Sequence, residues 1–311
     1  MSEFHHISVL LEECLEGLNI KPDGVYVDGT LGGAGHSSQI AKRLTTGRLI
    51  GIDRDPVALK AAGNRLAPYG DRVTLVHSNF CEIKEILNTL RIPGVDGILL
   101  DLGVSSPQLD DGARGFSYMV DAPLDMRMNN EDALTAQIVV NTWTQEELRR
   151  ILYAYGEERY APQIAAAICR RREEKNVETT LDLVDIIRSA MPPAALREKQ
   201  HPAKRSFQAI RIAVNNELGS VEKVMADAID VLNPGGRMAV ITFHSLEDRI
   251  VKTAMAEAAK GCTCPPQFPV CVCGKKPLVK QITRKPIVAT EEELEVNPRS
   301  RSAKLRVCEK I

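Results

Sequence analysis

The chain has 311 residues, of which 44% are hydrophobic and 26% charged, and its net charge is −1. This length allows more than one compact unit, and the near-neutral charge gives no global sign of a polyanionic partner. No apolar run approaches the ~18 residues of a membrane span, and the first residues lack the basic region of a secretory signal, so we expect a cytoplasmic protein with no membrane partner and mostly reduced cysteines.

Short apolar runs alternate with helical segments in the first hundred residues. Predicted helices cover residues 37–44 and 56–66. The apolar runs predict four strands, at residues 25–27, 48–52, 72–76 and 97–100. Because these runs are almost continuously apolar, they indicate a parallel sheet that is covered by helices on both faces.

The glycine-rich stretch VDGTLGGAGHS follows the first predicted strand, and the nature of its ligand decides the function. A dinucleotide site needs the spacing GxGxxG, but Ser38 stands where the third glycine belongs. Asp28 ends the strand, and its carboxylate would repel a pyrophosphate but suits a ligand that carries an ammonium and a sulfonium. Asp53 ends the second strand and suits two ribose hydroxyls in either kind of site. Phe80, after the third strand, can lie against an adenine or simply belong to the core.

The longest motif, DLGVSSPQLDDGARGFSYMVDAPLDMRM, begins at Asp101, where the fourth predicted strand ends. Open α/β sheets place their chemistry at such strand ends. The carboxylate, the hydroxyls of Ser105 and Ser106 and the amide of Gln108 can orient a polar acceptor by hydrogen bonds. The motif contains no nucleophile triad and no phosphate-binding lysine.

Helical periodicity dominates from about residue 112 to residue 216. Thr144 opens a capping box, and Thr180 begins a helix that is stopped by Pro192 and Pro193. A further helix follows Arg205. We therefore predict that residues 110–211 form an all-helical domain, inserted into a discontinuous α/β domain made of residues 1–109 and 212–311.

The α/β alternation resumes with the helix VEKVMADAIDVL, a turn at residues 233–236 and the strand RMAVITF. A Pro-Gly-Gly turn before a late buried strand resembles the fifth-strand signature of S-adenosylmethionine-dependent methyltransferases with a Rossmann-like fold. Together with Asp28 and Asp53, this turn favours S-adenosylmethionine as the ligand. The next motif, HSLED, lacks the GxSxG context of a hydrolase nucleophile, and we expect Ser245 to cap a helix.

The C-terminal part is predicted to be a Pro- and Cys-rich loop at residues 261–269, followed by two strands at residues 278–282 and 304–308 that are antiparallel at one sheet edge. Four cysteines there form the pattern CxC-x6-CxC and could make a tetrahedral zinc site: Cys262, Cys264, Cys271 and Cys273. The spacing is not the usual CxxC pair, so zinc binding stays open. Any metal would be structural, and we assign no metal ligand to the chemistry.

A series of motifs resembles the RsmH (MraW) family of 16S rRNA cytosine-N4 methyltransferases. Besides the motif at residues 101–128, they are HHISVLLEE, YVDGTLGGAGHS, YGEERYAPQIA, HPAKRSFQAIRIAVNNEL, GGRMAVITFHSLEDRIVK and NPRSRSAKLRV. They follow one another in order from His5 to near Val307. The resemblance implies an α/β fold, the Rossmann-like fold of class I S-adenosylmethionine-dependent methyltransferases, with an inserted all-helical domain. It also implies methyl transfer to the exocyclic N4 amine of a cytidine in the decoding region of 16S rRNA.

The resemblance further implies a set of cofactor contacts, carried over by position: Ala34, Gly35, His36, Asp53, Phe80, Asp101 and Gln108. For His36, a contribution through its backbone alone is the competing interpretation. The chemistry requires an acceptor for a hydrogen bond from the amine, so that its lone pair turns toward the methyl group. Our hypothesis gives this role to Asp101 or to a carbonyl of the turn at residues 102–106, and the target base must be unstacked to reach it.

The expected partner is 16S rRNA in the small ribosomal subunit, and no DNA partner is expected. The inserted domain and the basic C-terminal part are candidates for contacting rRNA, through Arg170, Arg171, Arg172, Lys204, Arg205, Arg299, Arg301 and Lys304. Three alternatives remain from the sequence: a nicotinamide-dependent oxidoreductase, a non-catalytic ribosome-assembly factor that binds S-adenosylmethionine, and a methyltransferase acting on DNA or protein.

Overall fold

The computed structural model describes residues 8–262, 264, 270 and 272–311. The chain divides into two compact units. The first unit contains the residues up to Gly103 and from Leu218 onward, and the second unit is Val104–Glu217. Part of the predicted loop at 261–269, part of the motif HHISVLLEE and Cys271 lie outside the described residues.

The first unit is built on a seven-stranded sheet with the order β3-β2-β1-β4-β5-β7-β6. Its strands are β1 Val25–Asp28, β2 Arg48–Asp53, β3 Val73–His77, β4 Val95–Asp101, β5 Leu232–Thr242, β6 Val279–Gln281 and β7 Lys304–Lys310. The first five strands are parallel to one another, and β7 is antiparallel to both β5 and β6. This sheet confirms the Rossmann-like α/β fold and the antiparallel pair at its edge.

Helices account for most of the remaining chain. They are α1 Leu11–Leu18, α2 Gly35–Arg43, α3 Pro56–Leu66, α4 Ile83–Thr89, α5 Ser106–Asp110, α6 Ala136–Thr142, α7 Gln145–Gly156, α8 Ala161–Glu174, α9 Thr180–Ala190, α10 Lys204–Asn215, α11 Glu217–Val231, α12 Ser245–Ala258 and α13 Glu291–Val296. Short 3₁₀ helices lie at Ala67–Arg72, Phe80–Glu82, Gly112–Arg114, Ala195–Arg197 and Pro298–Ser302. No helix within the described ranges combines the length and the apolar character that crossing a membrane requires.

Both faces of the sheet are buried because neighbouring residues along each strand point in opposite directions. In β4, Ile98 and Leu100 pack in one apolar cluster and Leu99 packs in the other. The first cluster also contains apolar residues of α4, α11 and α12, and the second contains those of α1, α2 and α3. Strands that are covered on both faces must be apolar at nearly every position, which explains the continuous apolar runs.

The fifth strand differs from its prediction. A turn was expected at residues 233–236, before the strand, but β5 begins at Leu232 and includes these residues. Its pairing with β4 shifts register there, because Val95 is opposite Leu232 whereas Gly97 is opposite Arg237. Gly235 has a φ of +77°. This left-handed conformation lets the additional β5 residues between Leu232 and Arg237 bulge out of the hydrogen-bonded pairing with β4.

The second unit has a helical core of its own. Apolar residues of α6, α7, α8, α9 and α10 are buried together, and a single antiparallel bridge joins Pro123 to Thr179. Thr144 and Thr179 cap α7 and α9 as the sequence patterns predict, and each has a complete capping box. The unit is longer than the predicted range of residues 110–211, because α5 packs on Gly112–Arg114 and because Asn215 bonds to the backbone of Met126.

Candidate active site

The carboxyl ends of three adjacent strands carry aspartates. Asp28 ends β1, Asp53 ends β2 and Asp101 ends β4, and the sheet places these strands in the order β2-β1-β4. Because the strands are parallel, their carboxyl ends lie at one edge of the sheet, where open α/β proteins bind their ligands. The three predicted strand-end acids therefore belong to one region.

The glycine loop between β1 and α2 is a tight turn. Its backbone is left-handed at Gly32, with a φ of +48°, and at Ala34, with a φ of +57°. The Ala34 side chain is buried, whereas a Cβ added to Gly33 would meet nothing within 4 Å. Ala34 also precedes α2 without offering a side-chain cap. Gly33 therefore leaves space against the backbone, and the first turn of α2 can face an anionic group of a ligand.

Asp28 is almost completely buried, with 2% of its surface exposed. Its Oδ2 accepts a 2.7 Å hydrogen bond from Ser37 Oγ, and its Oδ1 accepts one of 3.1 Å from the Thr30 backbone N–H. Burial raises the pKa of Asp28 to about 6, although these hydrogen bonds oppose the shift. A positive charge placed nearby would favour its ionised form.

The two carboxylate oxygens of Asp53 accept backbone hydrogen bonds, one from the glycine loop and one from the turn that follows β2. Its Oδ2 accepts a 2.8 Å bond from the Gly32 N–H, and its Oδ1 accepts one of 2.9 Å from the Asp55 N–H. Burial raises its pKa, which the two backbone bonds oppose. Each carboxylate oxygen has more than one lone pair, so Asp53 keeps the capacity to accept from hydroxyl groups of a ligand.

Asp101 has the most unusual carboxyl group of the three. Its Oδ1 is buried and has no hydrogen-bond partner among the described residues, while its backbone N–H donates to Thr30 Oγ1. Burial raises the pKa of Asp101 to about 8, and the negative charges of Asp28 and Glu247 act in the same direction. A buried polar atom without a partner is costly unless a ligand uses it, so this oxygen marks a binding position.

His36 lies in the first turn of α2, and its ring lies between two polar groups. Nε2 is 3.0 Å from the Val9 carbonyl oxygen, and Nδ1 is 3.8 Å from Asp101 Oδ2. Because a carbonyl can only accept, Nε2 carries a proton, and Nδ1 is the ring nitrogen that faces Asp101. The imidazole therefore contributes to the surroundings of Asp101, beyond what its backbone offers.

The other two predicted contacts have different surroundings. Phe80 begins a 3₁₀ helix after β3 and packs against the apolar cluster, where a Cβ added to Gly29 would come within 3.0 Å of the Phe80 Cβ. Gln108 lies in the second unit, where its Oε1 accepts a 3.1 Å bond from the Ser105 N–H and completes the capping box of α5. Their roles as cofactor contacts stay predictions.

Several residues of the site were not identified from the sequence. Thr30 and Ser37 hold the strand-end acids through the bonds described above. The prediction that Ser245 caps a helix is wrong, because the N-cap of α12 is His244 and Ser245 is the first helical residue. Glu247 Oε2 accepts from the N–H groups of Phe243, at 2.9 Å, and of His244, at 3.3 Å. The signal available was the capping-box spacing from His244 to Glu247, with a histidine in place of serine or threonine.

The structure separates the predicted rRNA contacts into two groups. Arg172 donates to the carbonyl oxygens of Val140 and Trp143, at 2.8 and 2.7 Å, and Lys304 lies 3.3 Å from Asp248, so both have partners within the protein. Arg205 is half-buried and donates a long 3.4 Å bond to the Glu157 carbonyl. The exposed members are Arg170, Arg171, Lys204, Arg299 and Arg301.

Within the described chain, none of the three strand-end aspartates has a lysine or arginine partner. The site therefore presents desolvated negative groups with an unused acceptor at Asp101. Such a site is suited to a ligand that brings its own positive charge, and it disfavours a pyrophosphate.

Comparisons with known proteins match the chain over its whole length. The sequence pattern of the MraW methylase family matches residues 3–311. The ribosomal RNA small subunit methyltransferase H of Brevibacillus brevis is 59% identical over 309 residues, which are 99% of this chain and 98% of the relative. The protein of the same name from Clostridioides difficile is 58% identical over 310 residues, 99% of this chain and 100% of the relative.

The solved structures are more distant. An rRNA methylase from Streptococcus thermophilus superposes with a TM-score of 0.45 at 8% identity, covering 98% of both chains. The N-methyltransferase NodS from Bradyrhizobium japonicum superposes with a TM-score of 0.42 at 8% identity. The superposition covers 96% of this chain and 93% of the NodS chain.

Proposed function

This chain belongs to the MraW methylase family, and we propose that it transfers a methyl group from S-adenosylmethionine to the exocyclic N4 amine of a cytidine in the decoding region of 16S rRNA. Family membership confirms the resemblance found in the sequence motifs. It also sets aside the nicotinamide-dependent oxidoreductase, which the sequence had left as an alternative.

The observation that carries the proposal is the cluster of buried acids without cationic partners. S-adenosylmethionine carries an ammonium and a sulfonium. Burial raises the pKa of Asp28 to about 6 and that of Asp101 to about 8, so a positive charge bound nearby would favour the ionised form of both carboxyl groups. The open space at Gly33 and the uncapped first turn of α2 suit its carboxylate end. The residues present therefore fit this cofactor.

Each residue has a distinct task in holding the cofactor. Asp53 accepts hydrogen bonds from the ribose hydroxyls, and the Gly33 region receives the amino-acid end. Phe80 and its apolar neighbours give the adenine a dry surface. When bound, S-adenosylmethionine supplies a methyl group on a positively charged sulfur, which keeps the bonding electrons when the methyl passes to nitrogen.

Asp101 orients the acceptor amine. Below a pH of about 8 its carboxyl is largely protonated in the absence of a cation, and it becomes an acceptor when a nearby positive charge favours ionisation. The ionised Oδ1 then accepts a hydrogen bond from the cytidine amine, which turns the nitrogen lone pair toward the methyl group. The other carboxyl oxygen, Oδ2, lies 3.8 Å from His36 Nδ1.

The rRNA-binding surface includes the second unit. Three of the cations predicted to contact rRNA are exposed there, near the end of α8 and at the start of α10: Arg170, Arg171 and Lys204. Arg171 is also 3.6 Å from Glu174, an exposed pair that phosphate can replace at little cost. Because the substrate belongs to the small ribosomal subunit, we place the protein in the cytoplasm.

The test is methyl transfer from radiolabelled S-adenosylmethionine to unmethylated small subunits, naked 16S rRNA and DNA, with nucleoside analysis of the product. We expect label in N4-methylcytidine from 16S rRNA alone. Label in another nucleoside, in DNA or in protein would contradict the proposed substrate. Tight cofactor binding without transfer to any rRNA substrate would favour the non-catalytic assembly factor.

A further inference from the structure

Three cysteines lie together between α12 and β6, in the first unit. The Sγ atoms of Cys262, Cys264 and Cys273 are all within 4.8 Å of one another. The Sγ atoms of Cys262 and Cys273 are 3.7 Å apart. These residues are exposed or half-buried, and none of them belongs to the site at the strand ends.

The distance between the sulfur atoms of Cys262 and Cys273 can be compared with that in a disulfide and that in a zinc site. A disulfide would place two sulfurs at about 2.05 Å. Two thiolates on one tetrahedral zinc ion, each at about 2.3 Å from the metal, lie about 3.8 Å apart. The 3.7 Å between Cys262 and Cys273, across which one thiol donates to the other sulfur, excludes a disulfide and fits the spacing of two ligands on one zinc ion.

Backbone amides point at two of the sulfurs. The Cys264 N–H donates to Cys262 Sγ at 3.4 Å, and the Val272 N–H donates to Cys264 Sγ at 3.3 Å. Such N–H donors stabilise the negative charge of a thiolate and hold a ligand in position, as expected around a metal site.

Two apolar side chains near the cysteines are exposed. Val270 and Val272 are 70% and 74% exposed, so neither packs in a core. The ends of the connection between α12 and β6 are joined by the bond from the Leu278 N–H to the Ala258 carbonyl, at 2.8 Å. A short connection with exposed apolar residues and clustered thiols is typical of segments that a structural metal organises.

We propose that Cys262, Cys264 and Cys273 bind a structural zinc ion that orders the connection between α12 and β6. A donor set made of thiolates selects zinc over magnesium or calcium. Each bound thiol releases its proton, and zinc keeps its +2 charge, so binding needs no oxidant or reductant. Cys271, the fourth cysteine of the motif, lies outside the described residues. This site is separate from methyl transfer and does not depend on the function proposed above.

The experiment is metal analysis of the full chain purified under reducing conditions in zinc-containing medium. We expect about one zinc per chain, and less than about one tenth of that in Cys262→Ser, Cys264→Ser and Cys273→Ser. Cys169→Ser, a half-buried cysteine of the second unit, is the matched control and should keep its zinc. Wild type without zinc, or variants that retain it, would overturn the proposal.

A second measurement does not depend on how the variants fold. Replacement of zinc by cobalt(II) in the wild-type chain should give the intense near-ultraviolet absorption of thiolate–cobalt bonds. Addition of a zinc chelator should speed proteolytic cleavage between α12 and β6 and leave the rest of the chain intact. A disulfide between Cys262 and Cys273, found by mass spectrometry in the reduced preparation, would overturn the proposal.

Discussion

Two aspartates of the first unit, the half-buried Asp101 and the buried Asp248, have opposite electrostatic surroundings. Asp248, in α12, receives bonds of 2.7 and 3.2 Å from Arg306, and Lys304 lies 3.3 Å away. The Arg306 and Lys304 partners hold the pKa of Asp248 below its ordinary value, against the effect of burial. Asp101 has no cation beside it, and burial raises its pKa to about 8.

The presence or absence of a cationic partner distinguishes an acid that stabilises the fold from an acid that serves a ligand. At Asp248 the fold supplies the cation, so the cost of desolvating the carboxylate is met within the protein. At Asp101 the fold supplies no such cation, so the carboxyl stays largely protonated at neutral pH until a ligand brings a positive charge. The predictions below test this contrast from the stability of the paired acid to the chemistry of the unpaired one.

The largest effect on stability is expected for Arg306→Met. It leaves the buried Asp248 with only the more distant Lys304 and should lower the free energy of unfolding by about 3–5 kcal/mol. Urea denaturation measures this change. Arg149→Met, which removes an exposed pair with Glu146, is the control and should cost less than about 1 kcal/mol. Equal losses in both variants would contradict the distinction.

For the unpaired acid, the main effect is on turnover. Asp101→Asn should lower kcat about 10²–10³-fold, because an amide orients the acceptor amine less well than a carboxylate. The rate is measured at saturating S-adenosylmethionine. Asp96→Asn, at the opposite end of β4, is the control and should keep its turnover. A fully active Asp101→Asn would give the role to a backbone carbonyl of residues 102–106.

The stability of the ligand-free protein should depend on pH in opposite directions for the two acids. The folded-state pKa of Asp101, about 8, exceeds its ordinary 3.8, so its contribution is complete below pH 3.8 and is lost as pH rises through 8. The pKa of Asp248 is lowered, so its contribution is present above pH 3.8 and is lost as pH falls through the folded value. Asp101→Asn should therefore remove the loss of stability that Asp101 causes between about pH 4 and pH 8. An unchanged profile would mean that Asp101 is already ionised at neutral pH.

Cofactor affinity should also increase with pH. Because binding of a cation favours ionisation of Asp28 and Asp101, the affinity for S-adenosylmethionine should rise between about pH 6 and pH 8, by at most about tenfold per pH unit for each proton released. Calorimetry in buffers of different ionisation enthalpy counts these protons. S-adenosylhomocysteine lacks the sulfonium charge and should show a weaker dependence. The same slope for both ligands would argue against the charge mechanism.

The smallest effect concerns the cap of α12, which places Glu247 near the unpaired acid. His244→Ala should lower the free energy of unfolding by about 1 kcal/mol, because the side chain accepts from the Glu247 N–H. Ser245→Ala should change it by less than about 0.5 kcal/mol. Thermal unfolding compares the two variants. A larger loss of stability in Ser245→Ala than in His244→Ala would identify Ser245 as the cap.

Much of the first unit could be predicted from its sequence. Strands β1 to β4 begin and end within two residues of the predicted limits, because strands buried on both faces must be apolar and an aspartate ends three of them. Asp28, Asp53 and Asp101 were found for the same reason. That none of the three has a lysine or arginine partner within the described chain was not predictable, since such pairs join residues far apart in sequence, as Arg306 and Asp248 do.

Other features depend on partners that the sequence does not display. The beginning of β5 is set by its register with Val95 and Gly97, not by the Pro-Gly-Gly signal alone. Arg172 was expected on the rRNA-binding surface. It donates instead to two carbonyl oxygens, that of Val140 in α6 and that of Trp143 directly after α6. Local sequence patterns predict helices, strands and capping boxes well. They do not reveal which long charged side chains already bond to other groups of the protein.

The adjacency of β4 and β5 has a consequence for synthesis of the protein. These strands pair side by side, yet the whole second unit, Val104–Glu217, separates them along the chain. During translation β1 to β4 must wait with one edge exposed while the helical insert emerges and folds through contacts that are mostly local. We expect nascent chains at this stage to be the most prone to aggregation and the most dependent on chaperones, because an uncovered strand edge pairs readily with other chains.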